Sequence, residues 1–162
     1  MPRLATIGVY GFTGETFMEA LRDADVRVVL DVRQRRGVRG REYMWANAKR
    51  LEAALDEARI GYRHLSELAP TTAMREAQYA EDDRQGVGKR NRVQLSEEYS
   101  RRYTEDILEP NGIGVVLDQM TKGGASALLC VEKDAQACHR SLIAARYAEE
   151  TGEPVDHLHP AD

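Results

Sequence analysis

The chain is poor in the residues that staple, stiffen or anchor. Of its 162 residues, two are cysteine, five proline, two phenylalanine and one tryptophan. Two cysteines exclude a disulfide-built scaffold, so a hydrophobic core has to carry the fold. No run approaches the roughly 20 apolar residues of a membrane span, which argues against a membrane protein. The opening Met1-Pro2-Arg3-Leu4-Ala5-Thr6 lacks a signal-peptide pattern. The expected location is therefore the cytoplasm, where thiols stay reduced. No internal repeat, low-complexity tract or GxGxxG fingerprint is present, so neither a solenoid nor a dinucleotide-binding turn is indicated.

What is present reads as one α/β domain spanning 1–162. Hydrophobic residues at 42% and charged residues at 31% are ordinary for a globular chain of this length. Leu4–Tyr10 and Val26–Val32 are short apolar runs, and between them Thr13 caps a helix carrying Phe17, Ala20 and Leu21 on one face. A strand, a helix and a strand in about 30 residues form a βαβ unit with parallel strands. Gln34 to Trp45 reads as a loop, and Asn47 as the cap of a helix with Leu51, Ala54, Leu55 and Ala58. Tyr62–Leu65 is a third strand. Thr71 or Thr72 starts a helix reaching Ala80, Gly86-Val87-Gly88 is a mobile turn, and the polar stretch 66–95 is a lid or an insertion.

Ser96 caps a helix bearing Tyr99, Tyr103 and Ile107, which ends at the turn Pro110-Asn111-Gly112. A helix with Ile113, Val116, Leu117 and Met120 precedes a fourth strand, Ala125–Cys130. Helix Cys138–Glu150 and an edge strand near Val155–Leu158 complete the chain. The expected architecture is three-layered, a mostly parallel sheet flanked by helices. Ligands of such sheets bind at the carboxyl ends of the strands. That rule gathers Tyr10, Gly11, Asp31, Arg33, His64, Cys130 and Glu132 along one rim.

Both cysteines fall in one loop, Cys130 to Cys138, followed by His139, Arg140 and Ser141. A cysteine at a helix start, beside a histidine and an arginine, favours its thiolate. Cys130, Glu132, Cys138 and His139 are the candidate catalytic groups, either cysteine being the thiolate. Glu132 is a proton carrier or a partner for Arg140. The opposing reading makes both cysteines small core residues. A zinc site from Cys130, Cys138, His139 and His64 lacks any standard ligand spacing, so no metal and no cofactor is assigned.

Five of the nine residues from Arg33 to Arg41 are arginine, although the net charge is −4 and the acid lies mostly beyond Gly61. A basic patch on an acidic protein suits a specific anionic small molecule or a nucleic acid better than bulk polyanion coating. Arg33, Arg35, Arg140 and Ser141 are the candidate anion-binding groups, with Tyr10, Gly11, Asp31 and His64 beside them. A salt bridge between Asp31 and Arg33 is the simpler alternative, as a solvated loop is for the arginines. Tyr43 and Trp45 either stack a base or anchor a core. The amides of the turn after Tyr10 are a further anion cradle.

Together these pieces resemble the family known as domain of unknown function 488. They comprise Thr6-Ile7-Gly8 with Phe17, Leu30-Asp31-Val32-Arg33, Tyr62-Arg63-His64-Leu65 with Glu67-Leu68, Leu129 to Asp134 leading to Cys138-His139-Arg140-Ser141-Leu142-Ile143-Ala144, and Val155-Asp156-His157-Leu158. The resemblance implies an α/β fold and a cytoplasmic protein, and no established reaction. Gln34-Arg35-Arg36-Gly37 stands where members often have a proline. A looser architectural likeness is to rhodaneses and cysteine phosphatases, in which a strand-end cysteine opens an anion-holding loop. Here Arg140 follows Cys130 by ten positions, and Glu132 and Asp134 put negative charge in the loop.

These features leave three functions open: a cysteine-dependent hydrolase or transferase acting on a phosphate-bearing nucleotide or nucleic acid, a binding module using Arg33–Arg41, and a redox-sensing dithiol. The oligomeric state is not encoded in any recognisable pattern.

Overall fold

Short apolar strands alternate with amphipathic helices along the chain, and a computed structural model shows how they assemble, describing residues 3–88, 92 and 94–161. The strands are β1 (Arg3–Ile7), β2 (Val26–Asp31), β3 (Gly61–His64), β4 (Ala125–Leu129) and β5 (Val155–Leu158). They form one sheet of order β3-β2-β4-β1-β5. All four neighbour pairs are parallel, so the sheet is entirely rather than mostly parallel. β4, buried at each of its five positions, lies between β1 and β2. The carboxyl ends of these three strands therefore lie side by side.

The helices are α1 (Gly14–Asp23), α2 (Ala48–Glu57), α3 (Thr72–Gln85), α4 (Glu97–Tyr103), α5 (Glu109–Asn111), α6 (Gly114–Gln119) and α7 (Arg140–Thr151). Right-handed crossovers between parallel strands send α1 and α2 to one face and α3 to α7 to the other. This gives the α/β architecture expected of the sequence. Phe17 and Leu21 of α1 and Leu51 and Leu55 of α2 are fully buried, each contributing about 1.5–3 kcal/mol through removal from water. Among the described residues no helix is long and apolar enough to cross a membrane.

The helix starts follow local chemistry. Thr13 caps α1 in a capping box, its Oγ1 accepting from Thr16 N while Thr16 Oγ1 accepts from Thr13 N. Thr71 and Ser96 cap α3 and α4 through Met74 N and Tyr99 N. Several expectations change. Asn47 stands before α2, but its Oδ1 accepts from Val38 N at 2.7 Å, so it fixes the arginine-rich loop instead of capping. The helix from Ser96 passes through a π-helical stretch, Thr104–Leu108, into α5, so Pro110 lies inside a final helical turn rather than starting a turn.

The third change concerns the cysteine loop. Ala135–Ala137 forms a 3₁₀ turn, Cys138 is extended (φ −137°, ψ 149°), and α7 begins only at Arg140. Cys138 is therefore not a first-turn helix residue. Its carbonyl instead accepts from the Ser141 N–H and hydroxyl. Part of the predicted loop Gln34–Trp45 also winds into a 3₁₀ turn, Arg41–Ala46, which brings Trp45 against Phe17 with ring centroids 4.8 Å apart.

Candidate active site

The carboxyl ends of β1, β2 and β4 meet the cysteine loop. Gly8, one residue past β1, makes this junction possible, because a Cβ there would stand 1.9 Å from the Glu132 carbonyl oxygen. The Val9 and Tyr10 amides both donate to the Val131 carbonyl, and Val32 N donates to the Leu129 carbonyl. From the other side the fully buried Arg140 donates to the Glu132 and Lys133 carbonyls at 2.8 and 3.3 Å. Backbone and guanidinium together hold the loop in one shape.

Cys130, Cys138, Glu132 and His139 come together inside that loop, all buried. Cys130 Sγ lies 3.6 Å from Glu132 Oε2 and 3.7 Å from His139 Nδ1. Cys138 Sγ lies 3.6 Å from the same nitrogen. The other ring nitrogen, Nε2, is 2.8 Å from the Val32 carbonyl oxygen and must carry a proton to bond it. The Tyr103 ring packs 5.2 Å from the imidazole, and its hydroxyl donates to the Leu68 carbonyl. The imidazole is thus fixed with Nδ1 facing both sulfurs.

Electrostatics divide the two thiols. Burial pushes the Cys130 thiol well up, and negative charge at Cys138 and Glu132 adds to the effect. Burial opposes ionisation of Cys138 too, but the Cys130 hydrogen bond, His139 and Arg140 outweigh it and hold this thiol well below its usual range. Burial lowers the His139 pKa, whereas the Cys138 charge and hydrogen bond, the Val32 carbonyl and Glu132 raise it, and the rise prevails. Of the two thiols, Cys138 is therefore the one pushed towards its thiolate and Cys130 the one pushed towards keeping its proton.

Above this cluster opens a cleft of about 690 Å³, bordered by Cys130, Glu132 and His139. Among the described residues its walls carry Arg33, Arg35, Arg39, Arg75 and Arg92, against Glu132 as the one acidic lining residue. Arg92 reaches across it. Its Nη2 donates to Glu132 Oε1 at 2.8 Å, its Nη1 to Asp82 Oδ2 at 2.7 Å, and Nε and Nη2 to the Ala137 carbonyl. Stretch 66–95, read from sequence as a lid or an insertion, forms a wall through Pro70, Arg75, Gln78, Tyr79 and Arg92. Its positions 89–91 and 93 lie outside the described residues.

Of the sequence-derived candidates, Tyr10, Arg33, Arg35, Cys130, Glu132 and His139 line the cleft. Cys138, 3.6 Å from His139 Nδ1, does not line it. Asp31, Gly11, His64, Arg140 and Ser141 do not line it. Asp31 is fully buried and takes Arg33 Nε and Nη2 at 2.8–3.1 Å and the Tyr62 hydroxyl at 2.5 Å. His64 Nε2 lies 2.9 Å from the Arg33 carbonyl. The turn amides expected to cradle an anion are spent internally: Gly11 N donates to the Tyr43 hydroxyl, Phe12 N to the Val9 carbonyl and Thr13 N to Thr16 Oγ1. Arg33 and Arg140 likewise direct their guanidinium groups at protein acceptors.

Arg92, Asp82, Arg75 and Gln78 escaped sequence reasoning. Gln78 and Asp82 are buried on α3 one turn apart and share a hydrogen bond. Polar residues on the inner face of a helix were the available signal.

An all-parallel α/β domain with a cysteine–histidine cluster at the strand ends, beneath an arginine-walled cleft, is the class these features define. The model of Domain of unknown function DUF488 matches residues 13–147, and the chain belongs to that family. Neither a curated protein nor a solved structure matches it.

Proposed function

We propose that this protein is a cysteine-dependent enzyme acting on a phosphate-bearing substrate, such as a nucleotide or nucleic acid. One observation carries the reading: Cys130, in reach of Glu132 and His139, borders a cleft walled by five arginines. Arg35 and Arg39 attract the phosphate by charge and forked hydrogen bonds, while Arg75 and Arg92, whose guanidinium groups bond Gln34, Tyr79, Asp82, Glu132 and Ala137, add charge to the wall. Arg33 and Arg140 act one step back, shaping the walls.

As Cys130 Sγ attacks phosphorus, its proton passes to the Cys138–His139 pair, the S–P bond forms and the P–O bond to the leaving group breaks. The pair returns the proton to the leaving oxygen. Water or an acceptor hydroxyl then cleaves the S–P bond and frees the thiol.

Alkylation of reduced, chelator-treated protein, resolved for each cysteine by peptide mass spectrometry, tests the reading. Although Cys138 is the more acidic thiol, Cys130 borders the cleft and Cys138 does not, so Cys130 reacts faster, inorganic phosphate protects it, and Cys130→Ala abolishes turnover in a panel of phosphate esters. Two equally slow thiols indifferent to phosphate sink it. Salt-sensitive nucleic-acid binding that falls in an Arg35→Ala, Arg39→Ala double variant then points to the non-catalytic binding module.

The proximity of the sulfurs favours a second reading, a dithiol that peroxide oxidises to a Cys130–Cys138 disulfide while being reduced to water. An unchanged free-thiol count after peroxide treatment removes it.

A further inference from the structure

Three side chains of the site have a geometry that hydrogen bonding alone does not require. One ligand atom each from Cys130, Cys138 and His139 lies within 4.8 Å of the other two. A tetrahedral zinc ion held at ~2.3 Å by sulfur and ~2.0 Å by nitrogen has S···N edges of about 3.5 Å. The distances from His139 Nδ1 to the two sulfurs are 3.7 and 3.6 Å, so both edges are already close to that tetrahedron.

The surroundings fit as well. Metal-ligating histidines commonly donate their second ring N–H to a carbonyl or carboxylate, which fixes the tautomer and turns the free lone pair towards the metal. His139 Nε2 meets the Val32 carbonyl oxygen in this way at 2.8 Å. Two thiolates neutralise a divalent cation, so a buried site carries no net charge to desolvate. Glu132 Oε2 lies 3.6 Å from Cys130 Sγ, and Arg92 holds the other oxygen of that carboxylate, so Glu132 stands beside the cluster and outside the ligand set. Cys130 also borders the cleft, which opens the fourth position to water.

We propose that Cys130, Cys138 and His139 form a three-ligand site for a thiophilic divalent cation of the zinc type, with water in the fourth position. The inference goes beyond the thiol enzyme reading and does not rest on it, because neither sulfur is a free nucleophile while the cation is bound. Binding releases the protons that the cluster holds. The two forms of the protein therefore compete for the same three side chains.

Cobalt(II) is the probe, since thiolate ligation gives it a charge-transfer band and tetrahedral coordination gives it intense visible absorption. The full chain, reduced and stripped with chelator, is titrated anaerobically with cobalt and then with zinc. Both spectral features should saturate at a single equivalent and vanish as zinc displaces cobalt. Cys130→Ser and Cys138→Ser should each weaken the charge-transfer band, while the exposed His159→Ala control titrates like the parent. A spectrum of octahedral cobalt in the wild-type chain, or a band undiminished in both cysteine variants, overturns the proposal. The wild-type titration decides even if a variant fails to fold. Cobalt binding with an inert, phosphate-indifferent Cys130 keeps this inference and ends the thiol enzyme, and a reactive Cys130 without cobalt binding does the reverse.

Discussion

Two buried arginines flank the same cleft and are held in opposite ways. Arg33 grips Asp31, two residues away on the same strand end, and its remaining nitrogen, Nη1, reaches the Ala46 carbonyl. Side-chain exposures of 1% and 0% make it a sealed ion pair. Arg92 instead joins two carboxylates remote in sequence, Asp82 on α3 and Glu132 in the cysteine loop, and all three keep 6–9% exposure at the cleft edge. The first pair is a local motif closed into the interior. The second is a clasp between two segments, and it ends on the carboxylate that faces Cys130. A buried charge is tolerated only when paired, so each arginine reports on a different level of organisation, one on the strand end and one on the closure of the wall.

The largest expected effect comes from breaking the sealed pair. Asp31→Ala leaves the Arg33 guanidinium buried without its carboxylate, and losing one partner of such a pair typically costs about 3–5 kcal/mol. Equilibrium denaturation should show a global loss of that size. A loss within a few tenths of a kcal/mol would show that Arg33 can turn to solvent, and the contrast with Arg92 would collapse.

Arg92→Ala should act less globally. A hydrogen bond to a charged group contributes roughly 1.5–3 kcal/mol, and here the released carboxylates can reach water in the cleft. Hydrogen exchange should speed up in the second half of α3 and in the loop Cys130–Cys138, with the strands unaffected. Adding Glu132→Gln should recover part of the loss, because the unpaired charge is then gone. Uniform acceleration across the sheet would make Arg92 a core element like Arg33.

Tyr62→Phe is the mildest change. It removes the hydroxyl that donates to Asp31 and accepts from Arg36, worth about 1 kcal/mol. Burial, with the Asp31 charge, pushes the Tyr62 hydroxyl up to about 12. A raised folded-state value means that the unfolded chain gives up this proton first. The stability it contributes is intact below pH ~10 and is lost as pH rises from there towards about 12. The Phe variant should lack this alkaline component in pH-dependent unfolding. An identical profile would exclude Tyr62 from the sealed cluster.

Elements with short-range signals were legible in the sequence. β1, β2 and β4 announced themselves as apolar runs, and the caps at Thr13, Thr71 and Ser96 as hydroxyl residues before helices. Asn47 looked like a cap by the same logic, but Val38 N competes for its side-chain oxygen, and a tertiary bond won. Cys138 looked like a helix start because His139, Arg140 and Ser141 follow it; the 3₁₀ turn at Ala135–Ala137 delayed the helix. At the site, sequence located the cysteine loop and the arginines of the 33–41 loop. It offered no view of Arg92, whose partners lie 10 and 40 positions away.

Sequence by itself determined the α/β class, the order of elements, the family, and the loop in which both thiols reside. Those follow from periodicity, capping and short spacings, which are interactions among neighbours. Tertiary structure alone decided which groups face the cleft, that the turn amides, Arg33 and Arg140 are spent on protein acceptors, and that His139 Nδ1 lies between two sulfurs. Each of these depends on the packing of β1, β2 and β4 against one another and on a wall contributed by α3. A side chain's partner at that range is fixed by the three-dimensional competition for donors and acceptors, which linear spacing does not encode.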